Sequence, residues 1–282
     1  MTERYKKMST EKNCVRAESA GAWAIFLDID GTLLSRGELP EKNVRMIREA
    51  QARGHKVLVN TGRSYAFIPW KKLESISFDG VCAGCGADIR IGESVLYSRE
   101  VDRRFVKRTV DEYKKSGRPL FLEGEQACFW VNPSEKASAS AMISASDFPC
   151  FELVCGAQFE EEFAEYKVSK YTFWEPGITQ QEKALWAEEL RVIEHPTYSE
   201  SVIVGCDKAL GMKIALDALG IPRERSIAMG DSANDIEMLE YAAIGVAMGG
   251  ATEQVKSICQ FISTDASDGG VGHAISELFL IK

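Results

Sequence analysis

No apolar run in this sequence approaches the roughly 20 residues that a membrane-spanning helix needs. Residues 1–21 carry scattered lysines and none of the apolar block of a secretory signal. We therefore expect no membrane association and a cytoplasmic location, with residues 1–21 forming a flexible extension. Positive charge is also scarce: 34 Lys and Arg against 42 Asp and Glu leave a net charge of −8 and a pI near 5.2. No basic footprint for nucleic acid is visible in that balance. A small anionic ligand stays open, because a bound cation can reverse the field inside a site. The cysteines are irregularly placed. Cys82 and Cys85 have C-x2-C spacing, but no matching pair follows at close range. Reduced thiols are the expectation, with zinc the lesser alternative. Repeats and low-complexity tracts are missing too.

What is present is a chain of 282 residues, 45% hydrophobic, long enough for a large core and a second domain. Its first part alternates apolar strand patterns with helical spacing. Strands are expected at 22–27, 56–60 and 76–83, with helices at 40–53 and 64–73, the latter shortened or bent by Pro69. The rhythm returns near the end, with helices at 209–219, 235–241, 253–259 and 271–279 and strands at 226–229 and 244–248. Such alternation predicts an α/β fold, a Rossmann-like and mainly parallel sheet covered by helices. Between the halves the pattern changes. A hairpin at 87–98, helices at 101–115, 134–145 and 179–189, and short strands at 119–122, 127–131, 171–175, 191–194 and 201–204 read as an inserted α+β cap. The expected domains are the core at 22–87 and 199–282, with the cap at 88–198.

Four polar clusters adjoin the predicted core strands. Asp28-Ile29-Asp30-Gly31-Thr32 follows the first. A turning strand end can bring both carboxylates around one pocket, where magnesium would relieve their repulsion. Asp28 could then attack phosphorus while Asp30 protonates the leaving oxygen. An ordinary Asp/Gly turn explains this cluster alone equally well. Thr61-Gly62-Arg63 follows the second strand; the hydroxyl and amides can cradle phosphate at a helix N-terminus, or Thr61 can simply cap one. Lys208 stands before a core helix, where it could neutralise phosphate, with Asp207 pairing with it or capping the helix. Gly230-Asp231-Ser232-Ala233-Asn234-Asp235 follows a later strand. Asp231 and Asp235 could share a cation through helical i, i+4 spacing or through a tight turn. Together the clusters contain the parts that phosphoryl transfer through an aspartyl intermediate requires.

In that order, these motifs resemble those of the haloacid dehalogenase-like hydrolases, specifically the Cof-type sugar-phosphatase branch with its large α/β cap. The similarity runs from Ala22 to the C-terminus and includes Val246-Ala247-Met248-Gly249. It implies that Asp28 becomes the phosphoaspartate and a Mg2+ ligand, and that Asp30 is the acid/base whose backbone carbonyl also meets the metal. It further implies that Thr61, Gly62, Lys208 and Asn234 surround phosphate and that Asp231 and Asp235 complete the metal surroundings. Cys85, Ala209 and Gly250 depart from the branch pattern of Asn, Gly and Asn. The expected activity is Mg2+-dependent hydrolysis of a small phosphorylated metabolite, a sugar or cofactor phosphate. A phosphosugar mutase and a catalytically silent sensor are the alternatives. A monomer or homodimer is expected. Phe129, Trp130, Phe173, Trp174 and Glu175 of the cap are candidates for substrate selection, against the simpler reading that these aromatics fill the cap's own core.

Overall fold

A computed structural model describes residues 21–132, 153–155, 166–174, 178–194 and 198–279, the three residues 153–155 as backbone only. The chain forms two compact units. One holds the residues up to Gly62, Lys72–Tyr97 and those from Asp207 onward; the other holds Arg63–Lys71 and Ser98–Cys206.

The first unit is built on an eight-stranded sheet. In chain order its strands are β1 (Ala24–Leu27), β2 (Lys56–Asn60), β3 (Gly80–Ala83), β4 (Asp88–Ile91), β5 (Ser94–Ser98), β12 (Ser226–Gly230), β13 (Ile244–Ala247) and β14 (Phe261–Ile262). Their spatial order is β14-β13-β12-β1-β2-β3-β4-β5. Pairing is parallel from β14 to β3 and antiparallel from β3 to β4. The central strands read as unbroken apolar runs because both faces are covered. On one face Ala24, Phe26, Leu58 and Ala228 pack with Met212, Ala215 and Leu216 of α5 (Lys208–Leu219). Met238 and Leu239 of α6 (Ile236–Tyr241) and Val255 of α7 (Glu253–Ile258) join the same cluster. The alternate residues Ile25, Leu27, Val57, Val59, Ile227 and Met229 are buried as well. Helices α1 (Glu41–Ala52) and α8 (Gly270–Phe279) lie against each other in the same unit.

The chain runs from β1 outward to β2 and β3, then returns to β12 on the other side of β1. Such a reversal opens a crevice at the carboxyl ends of the strands. Register makes the consequence specific: Leu27 pairs with both Val59 and Met229, so Asp28 emerges level with Asn60 and Gly230.

The second unit carries a six-stranded sheet, ordered β10-β11-β9-β6-β7-β8. Its strands are β6 (Leu120–Gly124), β7 (Cys128–Val131), β8 (Leu153–Cys155), β9 (Val168–Phe173), β10 (Leu190–Glu194) and β11 (Ser199–Ile203). All neighbours are antiparallel except β7 and β8. Aromatic residues of helix α3 (Arg103–Ser116) and helix α4 (Gln180–Trp186) cover one face: Phe105 and Trp186 meet Tyr171, and Trp186 meets Phe173.

Three sequence expectations need correction. The hairpin at 87–98 does not open the insert; β4 and β5 extend the core sheet, since β4 can pair with β3 through a short connection. The core, expected to resume at 199, resumes only after Cys206: strand β11, expected at 201–204 and read with the insert, belongs to the six-stranded sheet and the second unit. The helix at 64–73 is broken into a 3-10 turn at Tyr65–Phe67 and a short α2 at Trp70–Leu73. Pro69 lies between them, and Ile68 before it is extended, as a pre-proline residue should be. The helix expected at 134–145 lies outside the described residues, as do residues 1–20.

Candidate active site

Strand pairing ends where the polar clusters begin. The Asp28 amide still donates to Met229 O at 3.1 Å, after which the chain folds back: Leu33 N donates to Asp28 O at 3.2 Å and Leu34 N to Ile29 O at 2.8 Å. This turn needs Gly31 at φ +78°, and a β-carbon there would come 2.5 Å from the Asp231 carboxylate. Buried Asn43 fixes the turn. Its amide donates to Leu33 O at 3.1 Å while its carbonyl accepts from Gly272 N at 2.8 Å, joining the turn to α1 and α8.

Lys208 is the first residue of α5, with no exposed surface. Asp207 caps that helix by accepting from Leu210 N at 2.7 Å, which resolves its two possible roles. The Lys208 ammonium donates to Asp28 Oδ1 at 2.6 Å and to Asp235 Oδ1 at 2.5 Å. Asn60 anchors the same residue by donating to the Lys208 carbonyl at 2.9 Å. Burial disfavours the lysine's charge, but Asp235 and Asp28 outweigh it and hold the ammonium above its ordinary range.

Asp231 and Asp235 are brought together by a turn, the second of the two expected geometries. Ser232 is extended, and the Asp231 and Ser232 amides each donate to Asp235 Oδ2 at 3.0 Å. The Thr32 hydroxyl donates to Asp231 Oδ1 at 3.2 Å, linking the first and fourth clusters. Asn234 accepts from the Ser232 hydroxyl at 2.9 Å. Gly230 leaves room for this turn, since a β-carbon would sit 2.5 Å from Asp235 Cγ.

Asp28, Asp231 and Asp235 each place a carboxylate oxygen within 4.8 Å of the others. One lysine therefore faces three carboxylates, an excess of negative charge enclosed by hard oxygen donors. Burial pushes the Asp28 carboxyl well above the usual range, opposed by Lys208 and reinforced by Asp235, Asp231 and Asp30. Asp231 is raised to about 6, first by burial and then by Asp235. A divalent cation of the oxygen-preferring kind fits this donor set, because it removes the repulsion that Lys208 only partly offsets.

The remaining predicted residues fall around this cluster. Asp30 is exposed, and its carboxylate is not among the three gathered ones. Thr61 is buried, with its amide on Cys82 O at 2.9 Å and its carbonyl accepting from Cys85 N at 3.0 Å. Gly62 is buried beside it, but the segment leads into the 3-10 turn and not into the helix N-terminus expected there. Cys82 and Cys85 are buried thiols. The sequence assigns no role to Asn43, nor to Asn60, which opens the second motif. The available signal was a polar residue on the apolar face of α1 and another closing an apolar strand.

In the second unit, strand alternation divides the aromatic candidates. Phe129 and Phe173 share a face with Tyr171, among the residues that meet the helices: Phe129 packs on Tyr166 and Phe173 on Trp186. Trp130 and Trp174 stack at 5.1 Å on the opposite face with Phe121. That face also carries a buried charged group. Lys170 pairs with Glu200 and approaches Glu123 at 3.9 Å, and Glu123 accepts from the Thr172 hydroxyl at 2.6 Å. Glu175 lies outside the described residues.

A family model described as haloacid dehalogenase-like hydrolase matches residues 25–275. Over 276 residues the chain is 28% identical to the 5-amino-6-(5-phospho-D-ribitylamino)uracil phosphatase YitU of Bacillus subtilis strain 168, covering 91% of this chain and 97% of that protein. It is 26% identical over 269 residues to the chloroplastic endoribonuclease YBEY of Arabidopsis thaliana. That match takes in 89% of this chain but spans 45% of the longer relative. Among solved structures, the subclass IIB sugar phosphatase BT4131 superposes with a TM-score of 0.74 at 28% identity, covering 90% of this chain and 98% of that one.

Proposed function

The chain belongs to the haloacid dehalogenase-like hydrolase family, and from that premise we propose that it is a magnesium-dependent phosphatase working through a phosphorylated Asp28 on a small metabolite of the sugar- or cofactor-phosphate class. The observation that carries this reading is the ammonium of Lys208 held between Asp28 and Asp235, with Asp231 completing the acidic cluster.

Asp28, Asp231 and Asp235 would hold the metal, joined by the backbone carbonyl of Asp30. Bound there, magnesium supplies positive charge to the phosphate oxygens and to the attacking carboxylate. The chain's own residues account for the remaining steps. Lys208 donates to one Asp28 oxygen and keeps that carboxylate in place, leaving the other oxygen to attack phosphorus in line. The bond from phosphorus to the ester oxygen breaks as Asp30 gives that oxygen a proton. In the second transfer Asp30 takes a proton from water, whose oxygen attacks phosphorus, and the Asp28 carboxylate leaves. An exposed Asp30 suits a residue that exchanges protons with an alcohol and then with water. Thr61, Gly62 and Asn234 are assigned to the transferred phosphate.

Selection among leaving groups is assigned to the second unit. Trp130 and Trp174, with the buried Glu123, Lys170 and Glu200 of the same sheet face, offer ring surfaces and polar atoms suited to a hydroxylated or heterocyclic group. YitU and BT4131 are named for substrates of that kind. Phosphate release should be followed over a panel of phosphorylated metabolites, with and without Mg2+, and the substrates ranked by kcat/KM. Release from sugar or cofactor phosphates only when Mg2+ is present is the expected result. An isomerised phosphosugar without net phosphate release would replace the hydrolase by a mutase.

A further inference from the structure

Strand β5 ends the eight-stranded sheet, and it is built unlike a protected edge. Natural edge strands carry lysine, proline or bulges, or are very short, so that their open backbone groups do not recruit another chain. The opposite edge, β14, follows that rule with only two residues. By contrast, β5 is five residues long, reads Ser94-Val95-Leu96-Tyr97-Ser98, and contains no charge or proline. Val95 is 48% exposed and Leu96 42%, on opposite faces of the strand.

The sequence of β5 is self-complementary. Laid antiparallel on a second copy with Leu96 at the two-fold axis, it places Ser94 opposite Ser98 and Val95 opposite Tyr97. One step further out, Glu93 meets Arg99 of the second copy. The exposed valine would lie beside Tyr97, which already packs on the core of its own sheet. Hydrogen-bond phase agrees with this register. Gly92 and Glu93 form the turn between β4 and β5, with Gly92 at φ +55°. A two-residue turn closed by Ile91 and Ser94 directs the backbone groups of Ser94, Leu96 and Ser98 toward β4. Those of Val95 and Tyr97 then point outward, so the Val95–Tyr97 pairs of the two copies exchange hydrogen bonds and the central Leu96 pair is non-bonded. The Arg99 guanidinium is positioned near the strand's end by donating to Val204 O at 3.1 Å.

We propose that β5 is a homodimer interface, in which two copies of this chain pair antiparallel about Leu96 and join their core sheets across a two-fold axis. An isologous contact requires such self-complementarity. Backbone bonds along an added strand supply the affinity, and the Glu93–Arg99 pairs fix the register. Because the contact is narrow, the dimer is concentration-dependent and not obligate.

Sedimentation velocity on the full chain across a concentration series tests this. The wild type should show a monomer–dimer equilibrium. Val95→Lys should leave a monomer at concentrations where the wild type is dimeric, with an unchanged far-UV spectrum. Glu93→Arg should weaken the dimer by about tenfold, and adding Arg99→Glu to it should restore association. A wild type that stays monomeric at its highest soluble concentration, with or without β5 amides protected from exchange, overturns the proposal. So does a dimer indifferent to Val95→Lys, and failure of the charge swap to restore association overturns the register.

Discussion

Lys208 is a buried cation whose ammonium touches two carboxylates. Replacing it by methionine keeps the volume and leaves Asp28 and Asp235 facing each other without it. Removing one partner of a buried ion pair costs about 3–5 kcal/mol. Lys208→Met should therefore lower unfolding stability by about 3 kcal/mol in urea titrations without metal, and Mg2+ should recover part of that loss. The acidic cluster also predicts a pH dependence. Asp231, raised to about 6 from an ordinary 3.8, must be ionised to hold a cation. Mg2+ affinity measured by calorimetry should be flat above pH 7 and fall by about tenfold per pH unit below about 6, as protons compete for the site. Stability of the metal-free protein carries the opposite sign. Between about pH 4 and 6 the folded protein binds the Asp231 proton more tightly than the unfolded chain does, so this residue's contribution declines as pH rises through that window. At this scale the acids of the candidate site were legible because each follows an apolar strand. Asn43 and Asn60 were not, since their roles come from hydrogen bonds to Leu33, Gly272 and Lys208, which no local pattern announces.

Secondary elements were legible where their ends carry chemistry. Asp207 and Gly220 bound α5 as an acceptor cap and a left-handed C-cap, and Thr179 opens α4 with a capping box to Glu182. Strands β8 and β14, at three and two residues, are too short to show alternation. Pro69 signalled a break, though not the 3-10 turn before it. The two aromatic strands look alike in residue type, but the period of two sends Phe129 and Phe173 to one face and Trp130 and Trp174 to the other. Phe173→Ala should cost about 3 kcal/mol of stability, because it empties a packed site against Trp186. It should also leave the ranking of substrates unchanged. Trp174→Phe should do the reverse. Its buried Nε1 has no hydrogen-bond partner among the described residues, so stability should hold. Ratios of kcat/KM between two substrates should move by about tenfold. Equal effects of the two substitutions on selectivity would reject the division by face.

For the whole molecule, the doubly covered sheet was readable from its strand–helix rhythm, and so was the presence of an insert. The insert's limits were not. A hairpin such as β4–β5 has the same local pattern whether it begins a new domain or extends an existing sheet, and only its pairing with β3 decides. The order β12-β1-β2 is what brings residues 28, 60 and 230 level, and with them a cluster assembled from segments about 200 residues apart in the sequence. Covalent phosphorylation of Asp28 is the step on which the proposed reaction rests. Rapid quenching during turnover in Mg2+, borohydride reduction of any acyl phosphate, and peptide mass spectrometry would locate it. Reduction confined to Asp28, and absent when Mg2+ or substrate is omitted, is the result expected. Steady release of phosphate with no modification at Asp28, or with the modification on another carboxylate, would contradict it.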